Sequence, residues 1–285
     1  MKIRKIRMWA IIAAAVLLLL LAGTGILRKN AVSAKMTNTS ELSGKKLGGI
    51  TGEKLNAEQA EVFFETLLGT ALSGYEEAQS ISELLWKLKS GRVSAIECPD
   101  FVANYLLNGK DGDQLSRLSA PKDQASNGEN GRLEFALTLR TEDTSLCEEL
   151  NRALSKMKEE HVTDVLERSY ITAEKESEYY HSGKNDGKCF YVGVTGCYPP
   201  MDRFDSRGVP SGYSVALFEE LENRTGYSFR LIPIAVGQQF TALTSGKVDI
   251  LMDYGTSKTT TPGTKNYIQT GGFLTMKEYA YLTLR

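Results

Sequence analysis

One short motif occurs twice in the chain, and this duplication constrains the fold more than any other feature. The copies are Leu88–Ile96 (LKSGRVSAI) and Leu243–Leu251 (LTSGKVDIL). Each copy has the pattern of a helix end, a Ser-Gly break, a cation and an apolar run. Glycine suits the left-handed turn after a helix, and an unalternating apolar run is typical of a parallel strand buried on both faces. Two such helix-to-strand joints predict two similar α/β lobes with a ligand cleft between them.

The first thirty residues indicate export. They contain six cations and no acid, and residues 8–27 are uncharged. As a helix that stretch would be about 30 Å long, which matches a bilayer core, and the excess of cations before it favours a cytoplasmic N-terminus. Residues 1–30 could be a retained membrane anchor or a signal peptide cleaved near Val32-Ser33-Ala34. In both cases the rest of the chain is expected outside the cytoplasm, either anchored or secreted.

The charge and the cysteine content exclude several classes of protein. Outside residues 1–30 the chain holds 28 of its 34 cations and all 35 of its acids. This negative balance argues against nucleic acid or anionic lipid as a partner. The four cysteines, Cys98, Cys147, Cys189 and Cys197, are too few for a disulfide scaffold in a chain of 285 residues. We expect one disulfide or none.

The helix and strand patterns divide the exported part into two α/β halves, residues 42–170 and 189–285, joined by a linker at 171–188. In the first half the patterns predict a turn and short strand at 44–50 and further strands at 93–96 and 133–139. They predict helices at 56–68 and 80–89, the second with a capping box of Ser80 and Glu83, and a helix that opens at Pro99-Asp100. A polar loop at 110–131 and a long helix pair at 145–170 complete this half. In the second half they predict strands at 190–194, 227–233 and 279–284, a hairpin turn at 205–208 and a helix at 213–225.

The motifs in both halves resemble the bacterial extracellular solute-binding proteins of family 3, the receptors of polar amino-acid importers. Residues 190–285 resemble the first lobe of that family, with the Tyr198-Pro199-Pro200 loop, the Asp205-x-x-Gly208 turn and the second copy of the duplicated motif. Residues 42–170 resemble the second lobe through Thr51-Gly52, the first copy of the motif and a Leu146-x-x-x-Leu150-Asn151-x-x-Leu154 tail. The resemblance implies an α/β, two-lobe, type II periplasmic-binding-protein-like fold, preceded by one transmembrane or signal helix.

The order of the lobes differs from that of the family, because the lobe-two-like half comes first. Three explanations stay open at this point. The chain could be a circular permutant whose halves clasp each other, a tandem-module protein that ends early, or a chain whose first-lobe half pairs with a second lobe from another chain.

The resemblance also implies the residues that bind the solute. They are Thr195, Tyr198, Asp253, Gly255, Thr256 and Lys258 in the second half, and Gly52, Glu53 and Asp100 in the first. The simpler alternatives are a loop anchor for Tyr198, a plain turn at 253–256 and a helix cap for Asp100. The carboxylate-binding Arg of the family has no counterpart, since Thr261-Pro262-Gly263-Thr264 stands there and no Arg occurs between Leu231 and Leu284. Lys258 or Lys265 could replace it as a point charge.

No enzyme, metal or cofactor motif is present in the sequence. The only histidines are His161 and His181, and the common catalytic and phosphate-binding patterns do not occur. The resemblance implies a protein that captures a small polar, amino-acid-like solute for the permease of an ABC importer. The alternatives are a ligand-sensing ectodomain, a degenerate or truncated binding module, and, in another class, a dehydratase-like lyase on the same fold.

Overall fold

The computed structural model describes residues 35–50, 55–119, 132–173, 187–256, 267–277 and 279–285. Thr37–Arg285 forms one unit by its internal contacts. The predicted anchor or signal at residues 8–27 lies outside the described residues. Within the described ranges, no helix has the length and apolar character needed to cross a membrane.

The first sheet is built mainly from the first half of the chain. Its strands are β1 (Lys46–Gly49), β2 (Gly74–Glu77), β3 (Ala95–Cys98), β4 (Leu115–Arg117) and β13 (Ala280–Leu284), in the spatial order β2-β1-β3-β13-β4. Strands β1, β2 and β3 are parallel, whereas β13 runs antiparallel to both β3 and β4. The helices that accompany this sheet in sequence are α1 (Ala57–Leu68), α2 (Ile81–Lys89) and α3 (Asp100–Asn108).

The second sheet is built mainly from the second half. Its strands are β5 (Arg132–Arg140), β6 (Cys189–Val194), β9 (Ser228–Pro233), β10 (Ile250–Thr256) and β11 (Tyr267–Gln269), in the order β11-β5-β10-β6-β9, with β12 (Leu274–Lys277) also paired to β5. Strands β6, β9 and β10 are parallel, and β5 is antiparallel to β10. Strands β7 (Arg203–Phe204) and β8 (Pro210–Ser211) form the hairpin predicted around residues 205–208. The helices are α4 (Thr144–Glu159), α5 (Val162–Leu166), α6 (Tyr213–Thr225) and α7 (Gln239–Thr244).

The two sheets have the same topology, and each contains one strand from the other half of the chain. In each sheet, the parallel strand that comes first in the chain (β1 or β6) lies between the second (β2 or β9) and the third (β3 or β10). An antiparallel strand pairs with the other edge of the third. In the second sheet that strand is β5, with Thr138 opposite Leu251. In the first sheet it is β13, with Leu282 opposite Ile96. The halves drawn from the sequence at 42–170 and 189–285 therefore exchange strands.

The duplicated motif forms the predicted joint in both copies. Helix α2 is followed by Gly91 at φ +74°, and helix α7 is followed by Gly246 at φ +73°. Each glycine takes the left-handed conformation that residues with a Cβ rarely adopt. The chain then enters β3 or β10. Strand β3 spans Ala95–Cys98, two residues later than predicted, and so includes Glu97.

Buried side chains of both sheets form one hydrophobic cluster. Ile96 and Leu282 of the first sheet and Leu137 and Ile250 of the second belong to it, and each is fully shielded from solvent. Burying a side chain of this size contributes about 1.5–3 kcal/mol. The four cysteines are free thiols, and three of them are buried.

Several local predictions were wrong. The predicted loop at 110–131 contains β4, and β11 and β12 had no clear sequence signal because they are short. Ser80 caps α2 by accepting from Glu83 N at 3.1 Å, but the Glu83 carboxylate accepts from Gln79 N at 2.9 Å, so the predicted capping box does not close on Ser80. The helix pair predicted at 145–170 is confirmed, and its break lies at His161, which has a φ of 59°.

Candidate functional site

A cavity of about 70 Å³ lies where strand ends of the first sheet meet a loop of the second. Ile50 follows β1 and Pro99 follows β3, and because these strands are parallel, their carboxyl ends share one edge of the sheet. Cys197 and Tyr198 come from the loop after β6. The residues that line this inter-sheet cavity are Ile50, Leu55, Phe63, Phe64, Ile81, Leu84, Glu97, Cys98, Pro99, Cys197, Tyr198 and Tyr279. Carboxyl ends of strands are where open α/β sheets bind ligands.

Glu97 is the one acidic side chain among the described residues that line the cavity. It is 5% exposed, and its Oε1 accepts a hydrogen bond from the Tyr75 hydroxyl at 2.8 Å. Burial raises the pKa of Glu97 to about 8, against the lowering effect of that hydrogen bond. Gly49 makes room for the pair, because a Cβ at this position would overlap both Glu97 Oε1 and the Tyr75 hydroxyl. The fold therefore provides both the space and a hydrogen-bond donor for this carboxyl group in the cavity wall.

Aromatic rings form much of the cavity wall. Phe63 and Phe64 of α1 meet edge to face at 5.1 Å between ring centroids, and Tyr279 lies 5.4 Å from Phe64. Phe64 also stacks on Tyr75, the partner of Glu97, at 5.6 Å. The ring cluster thus holds the Tyr75 hydroxyl against the carboxyl group, and it leaves an apolar surface toward the cavity.

The loop after β6 brings one of the predicted ligand residues to the cavity. Tyr198 lines it, whereas Thr195 does not. The backbone N–H and the hydroxyl of Thr195 donate to Asp202 Oδ2 at 2.9 and 3.2 Å, and Gly196 N donates to the same oxygen at 2.9 Å. Burial raises the pKa of Asp202, and these three donors oppose that shift. Asp202 therefore holds the loop that carries Tyr198, and it occupies the polar groups of Thr195.

The predicted residues Asp253, Gly255 and Thr256 belong to β10 and not to a turn. Their backbones pair antiparallel with β5, opposite Ala136, Glu134 and Leu133 respectively. The sequence reading ended the strand too early, because it could not see that β5 extends the pairing. The role of these residues in solute binding stays a prediction.

Asp100 is engaged away from the cavity. It is the first residue of α3 and does not cap this helix through its side chain. Its carboxylate pairs with Arg117 and accepts from Asn104 Nδ2 at 3.2 Å. Both readings from the sequence, helix cap and ammonium ligand, missed this ion pair, because Arg117 lies on a strand that the sequence did not reveal. The remaining predicted ligands, Gly52, Glu53 and Lys258, lie outside the described residues.

Sequence reasoning missed Glu97, although a signal was present. When the two copies of the duplicated motif are aligned, Glu97 falls opposite Met252, so one buried strand carries an acid where the other carries an apolar residue. A carboxyl group inside a buried strand is costly unless it has a partner or a ligand. In the part of the chain that the structure describes, no three or more His, Cys, Asp or Glu side chains are grouped to hold a metal ion.

Residues 190–261 match the family model of bacterial extracellular solute-binding proteins, family 3. This segment includes β6, β9 and β10 and the cavity residues Cys197 and Tyr198. A comparison with curated proteins found no match.

Three solved structures with some likeness come from different bacterial proteins. The VFT2 domain of Bordetella pertussis BvgS has 11% identity and a TM-score of 0.41, over 87% of this chain and 83% of that one. The GluR0 ligand-binding core from Nostoc punctiforme, in complex with L-glutamate, has 10% identity and a TM-score of 0.38, over 85% of each chain. A periplasmic binding protein of an arginine transport system from Legionella pneumophila has 11% identity and a TM-score of 0.40, over 85% of this chain and 86% of that one. At these scores the likenesses carry no argument about this chain. The resemblance expected from the sequence is confirmed for residues 190–261, which match the model of the bacterial extracellular solute-binding proteins, family 3.

Proposed function

We propose that the protein is an extracytoplasmic solute-binding protein that captures a small solute in the inter-sheet cavity. The observation that carries this proposal is the position of the cavity. It takes residues from the carboxyl ends of β1 and β3 in one sheet and from the loop after β6 in the other. A ligand held by both sheets stabilises their closed arrangement, which is how hinged two-lobe proteins couple binding to closure.

Of the three explanations for the order of the lobes, we propose the permuted module. Strand exchange supports it: β5 continues from the first half into the second sheet, and β13 returns from the second half into the first. Each sheet thus receives its antiparallel strand from within the same chain. Neither a further lobe beyond Arg285 nor a second chain is required to complete the pairing.

The proposal includes presentation of the solute to an ABC importer. The family to which residues 190–261 belong, and the charged N-terminal segment followed by an uncharged stretch at residues 8–27, support a role outside the cytoplasm. Dependence of solute uptake on this protein is the expected result in a cell that carries the permease. Binding without any effect on uptake would favour a sensing ectodomain. Chemical conversion of the bound solute would favour the lyase.

The test is a thermal-shift screen of the full-length chain in detergent against amino acids, amines and small carboxylates. A solute at a hundred times its Kd should stabilise the protein by about 2.7 kcal/mol. Ile81→Trp places a large ring on the cavity wall and should abolish the shift. The matched control is Val62→Trp on α1, where the side chain is 59% exposed and does not line the cavity. Failure of every solute, or an undiminished shift in Ile81→Trp, would refute solute binding in this cavity.

A further inference from the structure

Among the described residues that line the inter-sheet cavity, the polar side-chain groups are one carboxyl group, two phenol hydroxyls and two thiols. Glu97 supplies the carboxyl group, and no Lys, Arg or His occurs among the described residues that line the cavity. From this lining, and on the basis of the proposed function, we infer that the solute is a small organic cation: an amine whose ammonium group pairs with Glu97 and whose apolar part contacts the aromatic wall.

The lining selects against carboxylates, because no cationic side chain among its described residues could pair with one. A zwitterion or an anion that entered the cavity would bring a carboxylate next to Glu97 and away from water. Removing such a charge from water without a partner costs several kcal/mol. An ammonium ion reverses this balance, because its positive charge lies beside the one acidic group of the described lining. The absence of Arg between Leu231 and Leu284 agrees with a solute that carries no carboxylate.

The surroundings of Glu97 suit a carboxyl group that ionises when a cation arrives. In the described structure its hydrogen-bond donor is Tyr75, and burial raises its pKa to about 8. A cation within a few ångströms favours the charged form and lowers the pKa. The thiols of Cys98 and Cys197 also line the cavity, and burial raises the pKa of both, to about 12 for Cys197. Binding of an ammonium ion is therefore coupled to release of a proton from Glu97.

The walls and the size of the cavity define the rest of the solute. Phe63, Phe64, Tyr198 and Tyr279 offer ring surfaces that attract a cation as well as an apolar chain. The cavity measures about 70 Å³. This is roughly half of the ~150 Å³ cavity that accepts benzene in a protein interior. A short-chain amine fits this space better than a long polar amino acid does.

Four probes with the same four-carbon skeleton separate the charge types: n-butylammonium, n-butanol, butyrate and 2-aminobutyrate. Binding to the full-length chain in detergent is measured by isothermal titration calorimetry in two buffers of different ionisation enthalpy. We expect n-butylammonium to bind at least about tenfold more tightly than the other three probes. The heat should differ between the buffers, because a proton is released. The affinity of the protein for n-butylammonium should rise from pH 6 to pH 8, while its affinity for n-butanol stays constant.

The matched variants are Glu97→Gln, which keeps the shape of the side chain and removes the charge, and Glu159→Gln at an exposed position of α4. Glu97→Gln should lower the affinity for n-butylammonium by about tenfold or more and leave that for n-butanol unchanged. Glu159→Gln should change neither of these two affinities. If Glu97→Gln does not fold, the pH dependence of the wild-type affinity decides the question by itself.

Tighter binding of 2-aminobutyrate or butyrate than of n-butylammonium would overturn the cation inference and leave the proposed function intact. The same holds if none of the four probes binds while an amino acid or a carboxylate of the thermal-shift screen does. If no solute of any class binds, the proposed function fails together with the inference.

Discussion

The Arg140 guanidinium donates to Asp249 Oδ1 at 3.0 Å and so joins the two halves of the chain. Arg140 is the last residue of β5, and it also donates to the carbonyl oxygens of Leu243 and Val248 at 3.1 and 2.9 Å. All three acceptors belong to the second copy of the duplicated motif. Asp249 Oδ2 in turn accepts from Tyr191 N at 2.9 Å. Through Arg140, the end of β5 thus holds the joint between α7 and β10 in place.

Replacement of this guanidinium should destabilise the whole fold. The Arg140 side chain is 17% exposed and that of Asp249 is 24% exposed, so solvent screens the pair only in part. In Arg140→Met, Asp249 Oδ1 and two carbonyl oxygens lose the donor that Arg140 supplies, and we expect a loss of about 2 kcal/mol in the free energy of unfolding. Urea unfolding measures it, with Arg152→Met at an exposed position of α4 as the control. A loss no larger than that of the control would show that β5 is held by strand pairing alone.

A second contact holds the first copy of the motif in a similar way. Thr283 of β13 is 4% exposed, and its hydroxyl donates to Ser94 O at 2.9 Å. Thr283→Val keeps the shape and removes the donor, so we expect a loss of about 1 kcal/mol in the free energy of unfolding. Thr275→Val on the exposed side of β12 is the control, with an expected change within about 0.5 kcal/mol. An unchanged urea midpoint for Thr283→Val would contradict the role given to this bond.

The buried Glu97 predicts how stability depends on pH. Its ordinary pKa is 4.5, and burial raises the pKa in the folded protein to about 8. Between these values the folded state binds more protons than the unfolded state, so the free energy of unfolding falls as the pH rises. The contribution is complete below pH 4.5 and is lost as the pH passes through about 8, with a slope of at most about 1.4 kcal/mol per pH unit.

Urea unfolding of the wild type and of Glu97→Gln at pH 5, 6.5 and 8 measures this contribution. The difference in unfolding free energy between the two proteins should shift in favour of the variant as the pH rises. The unfolding free energy of Glu159→Gln, a change at an exposed position, should depend on pH in the same way as that of the wild type. A Glu97→Gln difference that does not change with pH would mean that Glu97 ionises with an ordinary pKa.

Gly49 is expected to tolerate no side chain. A Cβ there would overlap the Glu97 carboxyl group and the Tyr75 hydroxyl. Gly49→Ala should therefore displace the hydrogen-bonded pair and cost about 1–3 kcal/mol in unfolding free energy. In the control Gly271→Ala the nearest atom to the new Cβ, Asn151 Oδ1, lies at 3.6 Å, an ordinary contact. Equal stability of the two variants would show that the pair moves aside freely.

The four thiols should differ in reactivity. Cys189 is exposed, whereas Cys98, Cys147 and Cys197 are buried and burial raises the pKa of each. Because the thiolate is the reactive form, iodoacetamide at pH 8 should label Cys189 rapidly and the others only after unfolding. Peptide mass spectrometry after timed labelling measures this. Early labelling of Cys197 would mean that the inter-sheet cavity opens readily to solvent.

The sequence by itself determined many of the local elements and the resemblance of residues 190–261 to a known family. The Ser-Gly joints, the helix at 213–225 that ends at Gly226 and the hairpin around 205–208 could be predicted, because glycine conformation and apolar periodicity act over a few residues. The position of Tyr198 at a cavity between the sheets agrees with the position expected from the family resemblance of its loop.

Only the tertiary structure decided which strands cross and which groups line the cavity. The exchange of β5 and β13 depends on pairings between residues far apart in the chain, such as Thr138 with Leu251, which no local pattern specifies. The tertiary structure also decided that Asp100 pairs with Arg117 and that Thr195 donates to Asp202. Glu97 became the acid of the cavity because the fold buries it beside Tyr75 and opposite a glycine, and burial is a property of the folded chain as a whole.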